Sequence, residues 1–366
     1  MTLLARMEQE GADRGGAPAV PEAREPWARG DASRTSDAPE RALVVRMPNW
    51  LGDLVMALPA LRGAGEALPG VGRVAVVPAA LAPLLEGAAE AVVPVERGRS
   101  SQALARLAPY RAEGAIILTT SFSSAYLLRR AGVRRLIGYP TEGRWVLGVR
   151  GPSRPRAHLA EQYARLVDEL GPWSRDLVPR LPAAAAAREV MARRLDEFGL
   201  GRSPRVAVFP GAAYGPAKRW PHERFAAVAR TLAAGGAGIA VLGSAGERPL
   251  AAAVAEAAGL PPESLGAGRT SLLETAGLLA HADLVLANDS GALHLAASCG
   301  ARTVGVFGST DPGWTAPPGA AVLRRPTPCA PCFRRTCDIG YRCLTNVTVD
   351  EVREVCIELL AGRTVA

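Results

Sequence analysis

The apolar residues of this chain fall into two rhythms. ALVVRM (42–47), RVAVVP (73–78), AVVPV (91–95) and AIILTT (115–120) are short unbroken runs rich in β-branched residues, which predicts strands buried on both faces. LVMALPALRGAGEAL (54–68) instead spaces its apolar positions at the helical period, with Pro59 as a kink point, and PNWLGD (48–53) reads as the loop before it. The same alternation restarts downstream. RVAVFPG (205–211), GIAVLGS (238–244), ADLVLAND (282–289) and TVGVFGS (303–309) predict strands, and 221–234, 247–258 and SGALHLAASCG (290–300) predict the helices between them. Strand alternating with helix gives an α/β fold with parallel sheets covered on both faces.

The rhythm breaks at GPWSRDLVPRLPAAAAAREV (171–190), where prolines and an alanine run read as a linker into the first helix of a second half. The predicted organisation is a first domain over 41–182, a second over 183–348 and a closing amphipathic helix within 349–366. Residues 1–40 are rich in Gly, Ala, Pro, Arg, Asp and Glu without apolar period and read as a disordered tail. Two doubly wound halves joined by one linker leave a cleft, where ligands usually bind.

Composition narrows the function. No apolar run is long enough to cross a bilayer, and the opening MTLLARMEQEGADRGG is too short in apolar residues for a signal peptide, so a cytoplasmic protein is expected. Its six cysteines are then thiols or metal ligands, not a disulfide framework. The formal net charge of +8 favours an anionic partner. Nucleic acid is not expected, because no recognition helix or aromatic-basic stacking motif accompanies the charge. Of 43 Lys and Arg residues only Lys218 is lysine. A GC-rich coding bias accounts for the arginines; a compact ammonium and a planar guanidinium fork are not interchangeable, so position 218 is either one that does not tolerate the fork or a chance survivor of that bias.

Four segments carry candidate chemistry, each with a plainer alternative. In PNWLGDLVMALPAL (48–61), Asp53 at a helix N-terminus is either an N-cap or a general base facing the cleft. In FPGAAYGPAKRWPHERF (209–225), a glycine-containing loop runs to Lys218; it is either a solvated loop or a diphosphate cradle, and it lacks the Walker spacing. In NDSGALHLAASCG (288–300), Asp289, Ser290 and Gly291 stand where a strand passes into a helix whose free N–H groups suit an anion; His294, one turn on, is a ligand or a packed residue. In VLGSAGER (241–248), Glu247 is an ordinary first-turn glutamate or a ribose contact.

At these motifs the sequence resembles the bacterial lipopolysaccharide heptosyltransferases that use ADP-heptose, glycosyltransferase family 9. NWLGD, SFSSAYLLRRAGVRRLIGY (121–139), PGAAYGPAKRWP (210–221), VLGSAGER and NDSGALHLAA occur in the family's order across about residues 41–348. The PGAAYGPAKRWP segment is most similar to the heptosyltransferase II subgroup, which adds the second heptose of the inner core; Ala213 departs from it, where an acidic residue is expected. The resemblance implies a GT-B fold of two Rossmann-like doubly wound parallel-sheet domains facing a central cleft. It implies Asp53 as base for the acceptor hydroxyl and Lys218 on the diphosphate. Gly211, Ala212, Tyr214, Glu247, Asp289, Ser290, Gly291 and His294 follow as the donor site. Asn49, Trp50 and Gly52, with Arg129, Arg130 and Arg144 of the arginine-rich first domain, are assigned to the acceptor.

The expected reaction is an inverting displacement that needs no cofactor and, lacking an Asp-x-Asp pair in these loops, no catalytic metal. The expected partners are the nucleotide-sugar donor, an anionic lipid-linked core oligosaccharide acceptor and the surface of the inner membrane at its cytoplasmic face. A nucleotide-sugar epimerase on the same architecture, or a non-catalytic nucleotide-sugar-binding protein, are the alternatives. Cys329, Cys332, Cys337 and Cys343 form a C-x2-C-x4-C-x5-C cluster that admits a structural zinc, packed thiols or a labile disulfide; the spacing is not that of a standard zinc ribbon.

Overall fold

A computed structural model describes residues 41–363, apart from 97, 99 and 113. The expected tail, 1–40, lies outside the described residues. The first half is a six-stranded parallel sheet in the order β3-β2-β1-β4-β5-β6. Its strands are β1 (Ala42–Arg46), β2 (Gly72–Pro78), β3 (Ala91–Val95), β4 (Gly114–Ile117), β5 (Arg135–Ile137) and β6 (Val149–Arg150). The four runs read as strands are β1 to β4. The last two are three and two residues long, too short to leave an apolar signature. Helices α1 (Leu51–Ala67), α2 (Ser100–Leu107), α3 (Phe122–Arg130) and α4 (Leu159–Val167) complete this half.

The second half is a five-stranded parallel sheet in the order β11-β10-β9-β7-β8. It comprises β7 (Arg205–Phe209), β8 (Gly238–Val241), β9 (Leu284–Asn288), β10 (Arg302–Val306) and β11 (Ala321–Leu323). The longer helices are α5 (Ala183–Ala192), α6 (His222–Ala234), α7 (Arg248–Ala258), α8 (Leu272–Leu279), α9 (Gly291–Ser298) and α10 (Val349–Leu360). Valines and leucines of β7 to β10 pack with Trp220, Phe225 and the α10 residues Val352 and Cys356 in one core. The closing helix thus joins the second core; a Thr348–Glu351 capping box starts it.

The linker is ordered and anchored. Trp173 covers Gly63 of α1, where an added Cβ would come within 2.2 Å of the indole. Arg62 of the same helix donates to the Asp176 carbonyl at 2.5 Å. The alanine run that follows becomes α5, which lies so close to α8 that a Cβ on Gly277 would stand 2.5 Å from the Ala187 carbonyl oxygen. Small residues there let two helix backbones approach.

In each sheet the strand order reverses once. β1 lies between β2 and β4, and β7 lies between β8 and β9. Chains leaving the carboxyl ends of such strands turn to opposite faces and open a crevice. The segments 48–53, 209–218 and 288–291 all leave strands at these two points.

Candidate active site

The residues 48–53 are not wholly a loop. Helix α1 begins at Leu51, and Trp50 is its N-cap without a side-chain cap hydrogen bond. Asp53 is therefore a first-turn residue and does not cap. Its carboxylate is left facing the cleft. The amino ends of α1 and α9 meet there, because both carry glycine. A Cβ on Gly291 would stand 2.7 Å from Leu51 Cβ and 3.1 Å from the Gly52 nitrogen, and one on Gly52 would stand 2.9 Å from His294 Cδ2.

Two cavities flank this junction. The larger, about 660 Å³, is lined from the second half by the 211–214 loop, Lys218, Glu247 and the 289–294 turn. The smaller, about 260 Å³, lies in the first half and includes Asn49, Thr119, Arg154 and Tyr163. Trp50 and Asp53 line both. Asp53 thus stands where the two spaces meet. Burial raises its carboxyl to a pKa of about 6, with Lys218 and Arg154 pulling it down and Asp289 pushing it up. A carboxylate so tuned releases its proton near neutrality, as a general base requires.

Lys218 is held, not solvated. Its Nζ lies 2.6 Å from Asp289 Oδ2, with the two side chains 13% and 3% exposed, and it stands 5.0 Å from the Tyr214 ring centroid. Thr310 also donates to Asp289 Oδ2. Asp289 is therefore held between the Lys218 ammonium and the Thr310 hydroxyl. Asn288 locks the turn from below. Its Oδ1 accepts from the Trp220 backbone N–H at 2.9 Å, and its Nδ2 donates to the Pro210 carbonyl at 2.8 Å. Ser290 Oγ in the larger cavity and Thr119 Oγ1 in the smaller are buried without a hydrogen-bond partner in the protein.

The cysteine-rich segment props this loop from outside. The Ala217 N–H donates to the Arg335 carbonyl at 3.0 Å, and Tyr214 Oη donates to the Phe333 carbonyl at 2.6 Å. Gly215 (φ 149°) passes so near that an added Cβ would lie 2.6 Å from the Arg335 oxygen. Among the described residues no group of three or more His, Cys, Asp or Glu is placed to hold a metal. The four thiols are free; Cys337 Sγ accepts the Tyr341 N–H at 3.4 Å, and burial pushes the Cys343 thiol up.

The remaining candidates sort by position. Glu247 closes a capping box on Ser244, with its Oε2 2.9 Å from the Ser244 nitrogen, and still lines the larger cavity. His294 is packed against the Gly52 space, and burial lowers it to about 4, so it is neutral at pH 7. Asn49 lines the smaller cavity and is tied by its Oδ1 to Arg46 at 2.7 Å. Arg129, Arg130 and Arg144 line neither cavity. Arg144 is fully buried and donates to the Thr119 carbonyl at 2.8 Å, and Arg129 donates to the Leu147 carbonyl at 3.0 Å, so both hold backbone. Arg130 is exposed and lies 5.9 Å from the Tyr126 ring centroid. The cleft arginine that sequence reasoning missed is Arg154, whose Nε donates to Gln162 Oε1 at 2.6 Å. It sits in a Pro-Arg loop with no pattern to mark it. Asn288, the last residue of β9, and Thr310, four residues beyond the end of β10, were also missed.

Comparison with known proteins gives the family. Lipooligosaccharide heptosyltransferase 2 of Haemophilus influenzae is 29% identical over 288 residues, 75% of this chain and 76% of that protein. Lipopolysaccharide heptosyltransferase 2 of Escherichia coli is 28% identical over 75% of this chain and 85% of its own length. The solved structure of E. coli ADP-heptose LPS heptosyltransferase II superposes with a TM-score of 0.73 at 27% identity, covering 88% of this chain and 99% of that one. The fold is therefore GT-B. The profile of glycosyltransferase family 9 (heptosyltransferase) matches residues 102–341, and the chain belongs to that family.

Proposed function

We propose that this transferase moves heptose from ADP-heptose to the inner core of lipopolysaccharide, as the second heptose, by inverting displacement. The observation that carries the reading is the position of Asp53 at the junction of the two cavities. The donor lies in the larger cavity and the acceptor hydroxyl enters from the smaller. Asp53 takes the hydroxyl proton as that oxygen attacks the anomeric carbon, and the bond from that carbon to the diphosphate breaks. The charge that grows on ADP meets Lys218 and the N–H groups at the amino end of α9. Ser290 Oγ and Thr119 Oγ1 are unused by the protein, one in each cavity, and suit a hydroxylated ligand. Arg154, rather than Arg129 or Arg144, is the guanidinium placed to meet the acceptor. The enzyme works at the cytoplasmic face of the inner membrane, where a lipid-linked acceptor is presented.

Asp53→Ala tests the assignment. Transfer falls by at least about a hundredfold in kcat, the contribution of a positioned base. ADP-heptose affinity, read by calorimetry, stays within about threefold, because the base acts on the acceptor proton. Normal turnover by folded Asp53→Ala protein removes Asp53 from the mechanism.

A further inference from the structure

The positive charge of this chain is unevenly placed. Between Gly114 and Ala160 there are eight arginines and a single carboxylate, Glu142, so this stretch carries +7 of the chain's formal +8. Two of these arginines, Arg129 and Arg144, are spent on backbone carbonyls, and Arg154 lies in the smaller cavity. Arg130 and Arg134 are exposed.

The same stretch exposes large apolar side chains. Phe122 is 43% exposed, Tyr126 47%, Trp145 61% and Val146 58%. Phe122, Tyr126 and Arg130 recur every fourth residue and form one stripe along α3, with Arg130 over the Tyr126 ring. Arg129 ties α3 to the Arg144–Leu147 turn through the Leu147 carbonyl, which brings Trp145 and Val146 beside the helix. The stripe also starts at the cleft, because Ser121, the residue before Phe122, lines the smaller cavity. Aromatic side chains standing among arginines are the composition of a surface that seats in a lipid headgroup layer.

We infer that α3 and the 144–147 turn form the face on which this protein sits on an anionic bilayer, with Tyr126 and Trp145 in the headgroup layer and Arg130 and Arg134 over its phosphates. The occupant is the bilayer, because the charge complements an anionic sheet and the face adjoins the cavity assigned to the acceptor. That assignment rests on the proposed function; the face and its binding do not need turnover to be measured.

The test is flotation of the full chain with phosphatidylcholine vesicles with and without about 30% phosphatidylglycerol, near 0.15 M salt. The wild-type protein should partition at least about tenfold better onto the anionic vesicles. Arg130→Gln and Arg134→Gln should each weaken that partition about fivefold. Tyr126→Ser with Trp145→Ser should weaken it about tenfold or more. All four positions are exposed, so an unchanged melting temperature confirms that the variants fold. Transfer to a soluble, delipidated core oligosaccharide by the Arg134→Gln protein and by the Tyr126→Ser, Trp145→Ser protein should equal that of wild type. Wild-type protein that does not float, that floats equally with neutral vesicles, or whose variants float undiminished overturns the inference. Absence of transfer by wild type counts against the proposed function alone, since flotation is read without turnover.

Discussion

Replacing Lys218 by arginine keeps the charge and changes its shape. The ammonium lies 2.6 Å from Asp289 Oδ2 and 5.0 Å from the Tyr214 ring centroid, at 13% exposure, so the side chain is enclosed by an acid on one side and an aromatic face on another. Asp289 is only 3% exposed and also accepts from Thr310, so it has little room to retreat. A guanidinium is longer and planar, and to reach the diphosphate it must displace Tyr214 or the 211–217 loop, which the Phe333 carbonyl holds at Tyr214 and the Arg335 carbonyl at Ala217. Losing the charge-assisted hydrogen bond to a phosphate costs about 1.5–3 kcal/mol. That is roughly tenfold to a hundredfold in kcat/KM for the donor. Lys218→Arg is therefore expected to lose almost as much as Lys218→Ala. Steady-state kinetics with ADP-heptose varied at saturating acceptor reads the difference. The melting temperature is followed in parallel, because Lys218→Ala also leaves the Asp289 carboxylate without its ion-pair partner. Full activity of Lys218→Arg would mean that only charge matters at this position and would refute the argument from shape.

Four further outcomes follow from the same geometry. Asp53 must be ionised to act, so kcat/KM should fall as pH drops through about 6, and a profile flat from pH 5 to 8 would contradict this. The raised carboxyl also bears on stability: the folded state holds the proton more tightly than the unfolded chain. Stability from this group is present below the unfolded value of about 4 and is lost as pH rises through about 6, so Asp53→Asn should be more stable than wild type by ~2 kcal/mol at pH 8 and nearly equal at pH 4, by denaturant titration. Gly291→Ala places a Cβ 2.7 Å from Leu51 Cβ and should lower stability by about 1–3 kcal/mol, read as a fall in melting temperature. Transfer should persist in EDTA, since Lys218 and the α9 amino end are placed to take the diphosphate charge; loss restored by magnesium or manganese would contradict that assignment.

The sequence showed most of the frame, and the reasons it stopped short are physical. β1, β2, β4 and β7 to β10 are largely buried on both faces, so they read as unbroken apolar runs, while β3 at the sheet edge is mostly half-buried and shows through its β-branched valines. β5, β6 and β11 are two or three residues long, and so short a run leaves no period. Asp53, Lys218 and Ser290 were found because each follows a strand at a turn, where chemistry gathers. The partners of these residues were hidden because they come from elsewhere. Thr310 reaches Asp289 from 21 residues away, and Asn288 reaches the Pro210 carbonyl from 78. The arginines were legible as charge but not as orientation. Arg144 and Arg154 look alike in sequence, yet one is fully buried on carbonyls and the other enters the cleft. The cysteine cluster was legible as a spacing, while its contact with the Lys218 loop runs through backbone carbonyls that no side-chain pattern encodes.

The most direct test of the central claim is transfer itself. Purified protein is incubated with ADP-heptose and a lipid-linked core acceptor carrying one heptose, and the product is weighed by mass spectrometry. The account predicts an acceptor heavier by one heptose residue, released ADP in equal amount, and neither with Asp53→Ala. An acceptor of unchanged mass, or ADP-heptose converted to another nucleotide sugar without acceptor, would contradict it.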